Sequence, residues 1–520
     1  MSRRKPGVDH RRPLSLERQA AQLVIPYLDL RAGEDVEAWW AKLTALRDRG
    51  AGGIVLFGGE AATLRARLLR FKAEAPDGIP PFVAADLERG VGQQVLGATH
   101  HPPAMAFGAA DSVELAGRAG WELAQEALAL GIDWVLGPVL DLADEPLNPI
   151  VGTRAFAADP ERVARLGAAW LRGVQEGGAL ACAKHYPGHG ATTDDSHEGL
   201  PVVRRSAEAL RALDLVPFRE AVEAGVATVM TAHVAYPALC TPERADVPAT
   251  LNPDLTHALL RDELGFTGLV VTDALIMDGV KTEAGEGPGA VRAIEAGCDL
   301  LLYPEDFDCV VEALVRWAEA NDANRARLRA SVDRVLGLKA LLAAGSAPTA
   351  IEPGLGDAVA AAAVTRIGPA LPALAGPTAV VVIDDDDEAA LGHELVATLV
   401  EGGVEVSPAG VGVSTLEGGV ERVRAVVGGA ARVVAVVGCR VRAWKGRAGL
   451  APGLAEILRA LPADRTTVAA LCGPYPLRGA LPEGAELLLG YGDGAAEQRA
   501  LGGVLLGRAP APGRLPVPAE

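Results

Sequence analysis

The densest group of reactive side chains lies in one stretch, AKHYPGHGATTDDSHEGLP, at residues 183–201. An apolar run leads into Lys184 and His185, and the Pro and Gly residues that follow predict a tight, mobile turn. Asp195 and His197 lie two residues apart, so their side chains can share a hydrogen bond in a turned loop. A carboxylate beside an imidazole fixes its tautomer and raises its basicity. The spacing therefore predicts a proton shuttle that works near neutral pH.

Two other chemistries compete for the same stretch. Three histidines (His185, His189 and His197) could bind a metal ion, but their spacing on a Gly-rich loop is not a standard metal spacing. Ser196 beside His197 could indicate a nucleophile, yet the chain has no GxSxG turn and sequence neighbours rarely form a triad. A purely structural loop would have little use for so many titratable groups.

Asp273 is the second candidate for chemistry. It ends the run GLVVTD, which carries no other charge. A carboxylate at the end of a buried strand is held rigidly and partly desolvated, which suits nucleophilic attack. The same residue could instead cap a following helix, since Asp is a favoured N-cap. Position in the sequence does not decide between these two interpretations.

The elements that carry these residues alternate in the first 340 positions. Helical stretches such as 111–130 and 160–177 separate eight short apolar runs, several of them apolar nearly throughout, as parallel strands covered on both faces are. No GxGxxG follows the first run, which disfavours an open dinucleotide-binding sheet. The pattern predicts an α/β fold, an N-terminal (β/α)₈ TIM-type barrel. The predicted strands are 22–28, 52–57, 81–87, 133–142, 179–186, 227–234, 268–275 and 298–303.

Polar residues cluster where these predicted strands end. In a barrel the carboxyl ends of the strands share one face, and that face carries catalysis. Solvent-exposed loops would account for one or two such residues. They do not account well for charged residues that recur directly after buried runs. The residues expected on this face are Asp86, Glu88, Asp141, Lys184, His185, His233 and Asp273.

A second unit follows the barrel. Residues 341–356 lose periodicity and gain Gly, Pro, Ala and Ser, which predicts a linker between a barrel at 1–340 and a second domain at 357–520. Strand–helix alternation then restarts and predicts a smaller α/β sandwich. An acidic run after its first strand, Asp384–Glu388, could be a metal site, but adjacent carboxylates alternate in direction, which favours a solvated loop or a helix start.

Composition limits the classes of partner. The chain has 520 residues, 49% of them hydrophobic, and 67 acidic against 49 basic residues give a net charge of −18. Such a surface disfavours nucleic acid and anionic membranes, and an aromatic content of 4% offers few stacking platforms for bases. Small molecules are the expected partners. The sequence does not indicate the oligomeric state.

Cysteine usage and the N-terminus bear on the compartment. The six cysteines lie far apart, none forms CxxC, and several sit inside apolar runs, which predicts buried free thiols. The N-terminal segment is basic but lacks the apolar region of a secretory signal. No run of about 18 apolar residues predicts a membrane span. We expect a cytoplasmic protein.

At this point the motifs resemble a known family. The run KHYPGHG…DDSH…LP, followed about 75 residues later by VVTDALIM, is similar to glycoside hydrolase family 3, in its β-N-acetylglucosaminidase branch. DLERG, NPIVGTRAFAADP and MTAHVAYPALC follow in the order of that family, and PGRLPV near the C-terminus resembles the end of its α/β sandwich. The likeness spans nearly the whole chain.

The resemblance implies roles for individual residues. Asp273 would be the nucleophile that forms a covalent glycosyl-enzyme, and His197, oriented by Asp195, would be the general acid/base. The hydroxyls of the terminal sugar would be held by Asp86, Arg154, Lys184 and His185. No metal and no organic cofactor are expected. Because the loop with Asp195, Ser196 and His197 would carry the acid/base, the second domain would be structural or would modulate access.

One motif departs from the family pattern. After the third strand this chain reads Glu88-Arg89-Gly90-Val91-Gly92-Gln93, where the branch has a second Gly and an Arg. The preference for the group beyond the terminal sugar is therefore open.

The expected function is a retaining exo-β-N-acetylglucosaminidase acting on muropeptide-like fragments or chitooligosaccharides. A β-N-acetylglucosaminide phosphorylase is an alternative, because a histidine acid/base lets phosphate approach more easily than a carboxylate would. A β-glucosidase or xylosidase of the same family is another. A sugar-binding protein without catalysis is disfavoured, since it would need neither a nucleophile nor a shuttle.

Overall fold

A computed structural model describes residues 14–518 except 32–34, 193–199, 278–284, 346, 388–389, 441–444 and 446. By its internal contacts the chain divides into two compact units. The first comprises residues 1–99, 116–141 and 167–351, and the second comprises 100–115, 142–166 and 352–520. Two segments from the first 340 residues, 100–115 and 142–166, thus belong to the second unit. The proposed boundary at residue 340 stays a prediction.

The first unit is built on a closed parallel barrel, which confirms the predicted fold. The order of its strands is β1-β9-β8-β7-β6-β5-β4-β3-β2, with every pairing parallel. The strands are β1 Val24–Ile25, β2 Tyr27–Leu30, β3 Gly53–Gly58, β4 Phe82–Ala85, β5 Trp134–Val135, β6 Leu180–Tyr186, β7 Thr228–Thr231, β8 Leu269–Ala274 and β9 Leu300–Leu302.

Pro26 divides the first predicted strand into β1 and β2, so eight predicted strands become nine segments. β1 pairs with β9, and β2 pairs with β3. Proline cannot donate a ladder hydrogen bond, but the Pro26 carbonyl still accepts one from Val55 at 2.9 Å. The two segments together act as one strand that closes the barrel.

Helices alternate with these strands. The helix α10 shows why: Asp306 caps it by accepting from Asp308 N and Cys309 N at 2.9 and 3.0 Å, and Phe307, Val310, Val311, Leu314 and Ala318 bury one face. The helices up to residue 344 are α1 Leu16–Ala21, α2 Val36–Asp48, α3 Ala61–Ala73, α4 Ala104–Ala110, α5 Val113–Leu130, α6 Pro160–Glu176, α7 Ala207–Ala212, α8 Leu215–Glu223, a π-helical segment Asp254–Glu263, α9 Glu286–Ala296, α10 Phe307–Glu319 and α11 Asp322–Ala344.

The start of the predicted linker at 341–356 is helical. The helix α11 continues to Ala344, because LKALLAA offers good helix formers until Gly345. None of the described helices is both long and apolar enough to cross a membrane.

The second unit contains a six-stranded sheet in the order β10-β15-β14-β13-β11-β12. The pairings are parallel except for the edge strand β10, which is antiparallel to β15 and was not predicted. The strands are β10 Thr365–Ile367, β11 Pro377–Asp384, β12 Glu405–Gly412, β13 Arg432–Gly438, β14 Thr466–Ala470 and β15 Glu486–Leu489. The helices are α12 Leu355–Ala363, α13 His393–Glu401, α14 Leu416–Gly428, α15 Pro452–Arg459 and α16 Ala495–Leu505. This is the predicted α/β sandwich.

The acidic run after β11 corrects one prediction. Asp385 is buried rather than solvated, and it pairs with Lys445 at 2.9 Å and Arg447 at 2.8 Å. Burial acts to raise the pKa of Asp385, but its hydrogen bonds to Arg447 and Lys445 hold the pKa below the usual value. These cations lie about 60 positions away in the sequence, so local charge alone suggested a wet loop.

All six cysteines are free, and Cys182, Cys298, Cys439 and Cys472 are buried, as predicted for thiols within apolar runs. Burial raises the pKa of Cys182 and of Cys298 to about 12. These thiols stay protonated at neutral pH, which makes them unreactive.

Candidate active site

The ammonium group of Lys184 lies between two carboxylates. Its Nζ is 2.6 Å from Asp86 Oδ1 and 2.8 Å from Glu88 Oε1. The Lys184 side chain is only 2% exposed, and a buried cation of this kind needs paired charges to offset its lost hydration. The strand β6 supplies the lysine and the loop after β4 supplies both carboxylates. The result is a rigid charged group suited to binding hydroxyls.

His185, the next residue on β6, is held by a buried carboxylate. Its Nδ1 lies 2.7 Å from Asp141 Oδ2, and Asp141 Oδ1 accepts from the backbone N–H groups of His185 and His189 at 3.2 and 2.7 Å. Burial acts to raise the pKa of Asp141, but the adjacent His185 imidazole lowers it below the usual value. An ionised Asp141 orients the His185 ring, as second partners of functional histidines commonly do.

The turn after β6 has the tight geometry that the sequence predicted. Gly188 has a φ of +133°, a conformation that side chains rarely adopt, and its N–H donates to the His185 carbonyl at 2.8 Å. A Cβ on Gly188 would lie 3.0 Å from the Asp214 side chain. The peptide bond between Lys184 and His185 is cis.

His189 is a structural member of this turn. Its Nδ1 lies 2.8 Å from Thr192 Oγ1, and that hydroxyl donates to the His189 carbonyl at 3.0 Å. Burial lowers the pKa of His189 to about 4. The imidazole is therefore neutral at physiological pH, and together with Thr192 it fixes the backbone immediately before residue 193.

Asp273, near the end of β8, is a half-buried, ionised carboxylate. Burial acts to raise the pKa of Asp273, but the charges of His185 and His233 and a hydrogen bond from Ala274 N lower it below the usual value. That hydrogen bond measures 2.8 Å. The interpretation as a helix cap is wrong, because residues 275–277 form a turn and the next described helix begins at Glu286.

His233, beyond the end of β7, fixes the backbone beside the candidate nucleophile. Its Nε2 lies 3.0 Å from the Ala274 carbonyl and its Nδ1 lies 2.7 Å from Thr250 Oγ1. It is 1% exposed. The ring thus connects the ends of two neighbouring strands, β7 and β8, where Asp273 is held.

The structure brings together part of the predicted site. Asp86, Lys184, His185 and Asp273 gather at the carboxyl ends of β4, β6 and β8. Asp195 and His197 lie outside the described residues, so the dyad stays a prediction. Arg154 ends a short 3₁₀ turn, Gly152–Arg154, in the other compact unit, and its role toward the sugar also stays a prediction.

Three residues of the candidate site had no role assigned from the sequence. Glu88 and Asp141 were expected on this face, but nothing indicated that they pair with Lys184 and His185. Tyr303 directly follows β9; burial, then the charges of Asp86 and Asp273, raise its pKa well above the usual value. Its place after the apolar run CDLLL was the available signal.

The described residues contain no group of three or more His, Cys, Asp or Glu side chains that could hold a metal ion. The chemistry that these residues can supply is that of an anionic nucleophile beside a rigid set of hydroxyl-binding charges. A barrel with such groups at the carboxyl ends of its strands can carry catalysis on a polar substrate at this face.

Comparison with known proteins defines the class. Residues 15–338 match the glycosyl hydrolase family 3 N terminal domain. The chain belongs to glycoside hydrolase family 3, which confirms the resemblance inferred from its motifs.

Particular relatives extend the comparison. A β-N-acetylglucosaminidase/β-glucosidase of Cellulomonas fimi is 36% identical over 297 residues, covering 56% of this chain and 52% of that protein. A β-hexosaminidase of Thiobacillus denitrificans is 38% identical over 300 residues, covering 54% of this chain and 80% of that protein. The match thus spans about half the length of the Cellulomonas protein.

One solved structure is similar over both units. The family 3 β-N-acetylglucosaminidase from Paenibacillus sp. str. FPU-7 is 31% identical and has a TM-score of 0.85, covering 98% of this chain and 99% of that one. The barrel and the sandwich are therefore both shared with this relative.

Proposed function

We propose that the protein is a retaining exo-β-N-acetylglucosaminidase. The observation that carries the proposal is Asp273, a half-buried carboxylate held at the end of β8 by a 2.8 Å hydrogen bond from Ala274 N, with a lowered pKa that keeps it ionised. A nucleophile must be anionic to attack the anomeric carbon, whereas loss of solvent by itself favours the neutral carboxylic acid. Relatives named β-hexosaminidase and β-N-acetylglucosaminidase support the choice of sugar.

The first chemical step uses Asp273 and His197. The Asp273 carboxylate attacks C1 and forms an ester with the sugar, while the glycosidic C–O bond breaks. The imidazolium of His197 gives its proton to the departing oxygen, and Asp195 orients the ring and stabilises its charged form. In the second step neutral His197 takes a proton from water, which attacks C1 and releases Asp273 and the sugar.

Sugar recognition uses the charged groups beside the nucleophile. Asp86 and Lys184 are already paired at 2.6 Å, so their geometry is set before the substrate binds. His185, oriented by Asp141, adds a further hydrogen-bonding group, and we propose that Arg154 also binds a hydroxyl. Preorganised groups of this kind lower the cost of ordering the sugar.

We further propose that the substrates are muropeptide-like fragments or chitooligosaccharides, that the enzyme works in the cytoplasm in peptidoglycan recycling, and that it needs neither a metal nor an organic cofactor. The net charge of −18 favours small carbohydrate partners over nucleic acid or anionic membranes.

A panel of β-linked nitrophenyl sugars, assayed with and without inorganic phosphate, tests the proposal. The 2-acetamido sugar is expected to give the highest kcat/KM, with free N-acetylglucosamine as the product in both buffers. Equal kcat/KM for the β-glucoside would move the protein to the glucosidases. Formation of the sugar 1-phosphate would instead identify a phosphorylase.

A further inference from the structure

Four aromatic side chains contact one another beside the site. The ring of Tyr303 lies 5.7 Å from Tyr27 and 5.4 Å from Phe57, and Tyr27 lies 5.4 Å from Trp39. Aromatic residues make up only 4% of the chain, so this is a marked local concentration. We refer to Trp39, Tyr27, Tyr303 and Phe57 as the aromatic wall.

The inner end of the wall adjoins the candidate nucleophile. Tyr303 follows Leu302, which pairs with Ala274, the residue after Asp273. Burial, and after it the charges of Asp86 and Asp273, raise the pKa of Tyr303. Tyr303 therefore lies beside the two carboxylates that, in the proposed function, contact the terminal sugar.

The wall extends from this buried end toward solvent. Tyr303 is 8% exposed, whereas Tyr27, Phe57 and Trp39 are half-buried. Tyr303 also has a φ of +54°, a conformation that is rare for a bulky residue and that tends to occur at functional sites. Rings that served packing alone would gain more by full burial. The exposed parts of these three side chains can therefore contact a ligand that is itself partly apolar.

We propose that the aromatic wall is the subsite for the leaving sugar, the pyranose ring linked to the terminal N-acetylglucosamine. This inference rests on the proposed function. The C–H face of a pyranose is apolar and flat enough to pack on aromatic rings, while its hydroxyls remain in water. The aromatic wall begins at Tyr303, near the candidate nucleophile, and continues through Tyr27 to Trp39 toward solvent. A leaving sugar would have to occupy such a position.

Two cations border the outer part of the wall. The Arg31 guanidinium lies 5.1 Å from the Phe57 ring centre, and Lys42 Nζ lies 4.9 Å from that of Trp39. Arg31 is also paired with Asp29 at 2.8 Å. In a chain of net charge −18, such cations favour a leaving sugar that carries a carboxylate. Chitooligosaccharides and cell-wall fragments both present a pyranose ring at this position, and the experiments below distinguish between them.

The test compares two substrates in matched variants. The substrates are the β-1,4-linked disaccharide of N-acetylglucosamine and methyl β-N-acetylglucosaminide, which has no second ring. In Trp39→Leu and Tyr27→Leu the ratio of kcat/KM for disaccharide over methyl glycoside should fall about tenfold, the loss expected for an aromatic contact worth ~1.4 kcal/mol. The control, Trp317→Leu, replaces a half-buried tryptophan of α10 and should leave the ratio unchanged.

The outcomes separate this inference from the proposed function. If the folded wild-type protein cleaves neither substrate, the proposed function itself is wrong. If it cleaves both, and the ratio in Trp39→Leu and Tyr27→Leu equals that of the wild type, the wall only packs the barrel and the inference is overturned. Trp39→Phe keeps a ring and should restore most of the ratio.

If the variants are too unstable to assay, the wild-type protein can be tested by measuring sugar transfer to an added acceptor. The glycosyl-enzyme can transfer its sugar to added N-acetylglucosamine instead of water, and this acceptor must occupy the same subsite. Saturation of transfer with acceptor concentration supports the subsite, whereas a strictly linear dependence contradicts it. Replacing the acceptor with its 3-O-lactyl derivative shows whether the carboxylate of a cell-wall sugar is preferred.

Discussion

The Asp141 carboxylate joins the His185 ring to the turn that follows it: one oxygen lies 2.7 Å from Nδ1 of His185, and the other accepts from His189 N at 2.7 Å. A single buried group therefore orients a sugar-binding side chain and secures the beginning of the segment that leads to the predicted acid/base. This makes Asp141 a positioning residue for two parts of the site.

Asp141→Asn should lower kcat/KM by about a hundredfold, as misplacement of a binding group can. Asparagine keeps the size but loses the charge that orients the imidazole, so KM should rise as well as kcat fall. Asp133→Asn is the matched control, since Asp133 is also buried and accepts from a backbone N–H, that of Val83, at 2.8 Å. Equal effects of the two changes on kcat/KM would reduce Asp141 to a general stabiliser.

Asp273→Asn should lower activity on every substrate by about 10⁴-fold or more, because it deletes the covalent step. The fold should persist, which thermal unfolding can check. Asp306→Asn serves as the control, since asparagine also caps a helix well and α10 lies outside the site. A variant that kept a tenth of wild-type turnover would remove Asp273 from the role of nucleophile.

The pH dependence of kcat/KM should reflect the lowered pKa of Asp273. Its carboxylate is ionised above its pKa, so activity should be lost only as pH falls below 3.8, the ordinary pKa of an aspartate. The largest cause of the lowering is the charge of His185. His185→Gln should therefore move the acid limb to higher pH. An acid limb above pH 5 in the wild type would contradict an ionised, stabilised nucleophile.

His197→Ala should slow cleavage most for the substrates whose leaving group is most basic. A sugar alkoxide needs a proton to leave, whereas dinitrophenolate needs almost none. The first step on the activated substrate should survive and the glycosyl-enzyme should accumulate as a burst, visible by mass spectrometry as a hexosamine adduct on Asp273. Losses in His197→Ala and Asp195→Ala should not add in the double variant. Equal losses on both substrates without an adduct would place the acid/base elsewhere.

Lys339 should make stability depend on pH. Its Nζ donates to Gln22 Oε1 at 2.7 Å, and burial lowers its pKa from 10.5 to about 7. Between these values the unfolded chain binds more protons, so the free energy of unfolding should rise with pH by up to ~1.4 kcal/mol per unit. Below pH 7 both states are protonated and the effect is flat.

Lys339→Met should abolish this slope between pH 7 and 10, as followed by chemical denaturation. The control is Arg329→Met, an exposed change on the same helix α11. Parallel curves for wild type and Lys339→Met would show that the lysine is not held with a lowered pKa.

The sequence by itself determined the architecture of both units and the face that carries the site. Apolar runs alternating with amphipathic helices can bury both faces of a parallel sheet only in a few ways, so the barrel followed from local pattern. The restart of the alternation after residue 356 likewise predicted the sandwich. Charges directly after buried strands marked one end of the barrel, because parallel strands share their carboxyl ends.

Only the tertiary structure decided which of these charges meet. Lys184 pairs with Asp86 across 98 positions and His185 with Asp141 across 44, and closure of the barrel, not sequence spacing, brings those strand ends together. The same holds for Asp385, which looked solvated until cations from a distant loop were found beside it, and for the aromatic wall, drawn from β2, β3, α2 and the end of β9. Local pattern sets the elements because backbone hydrogen bonding and amphipathicity act over a few residues. Pairing depends on distances that exist only after the elements have packed.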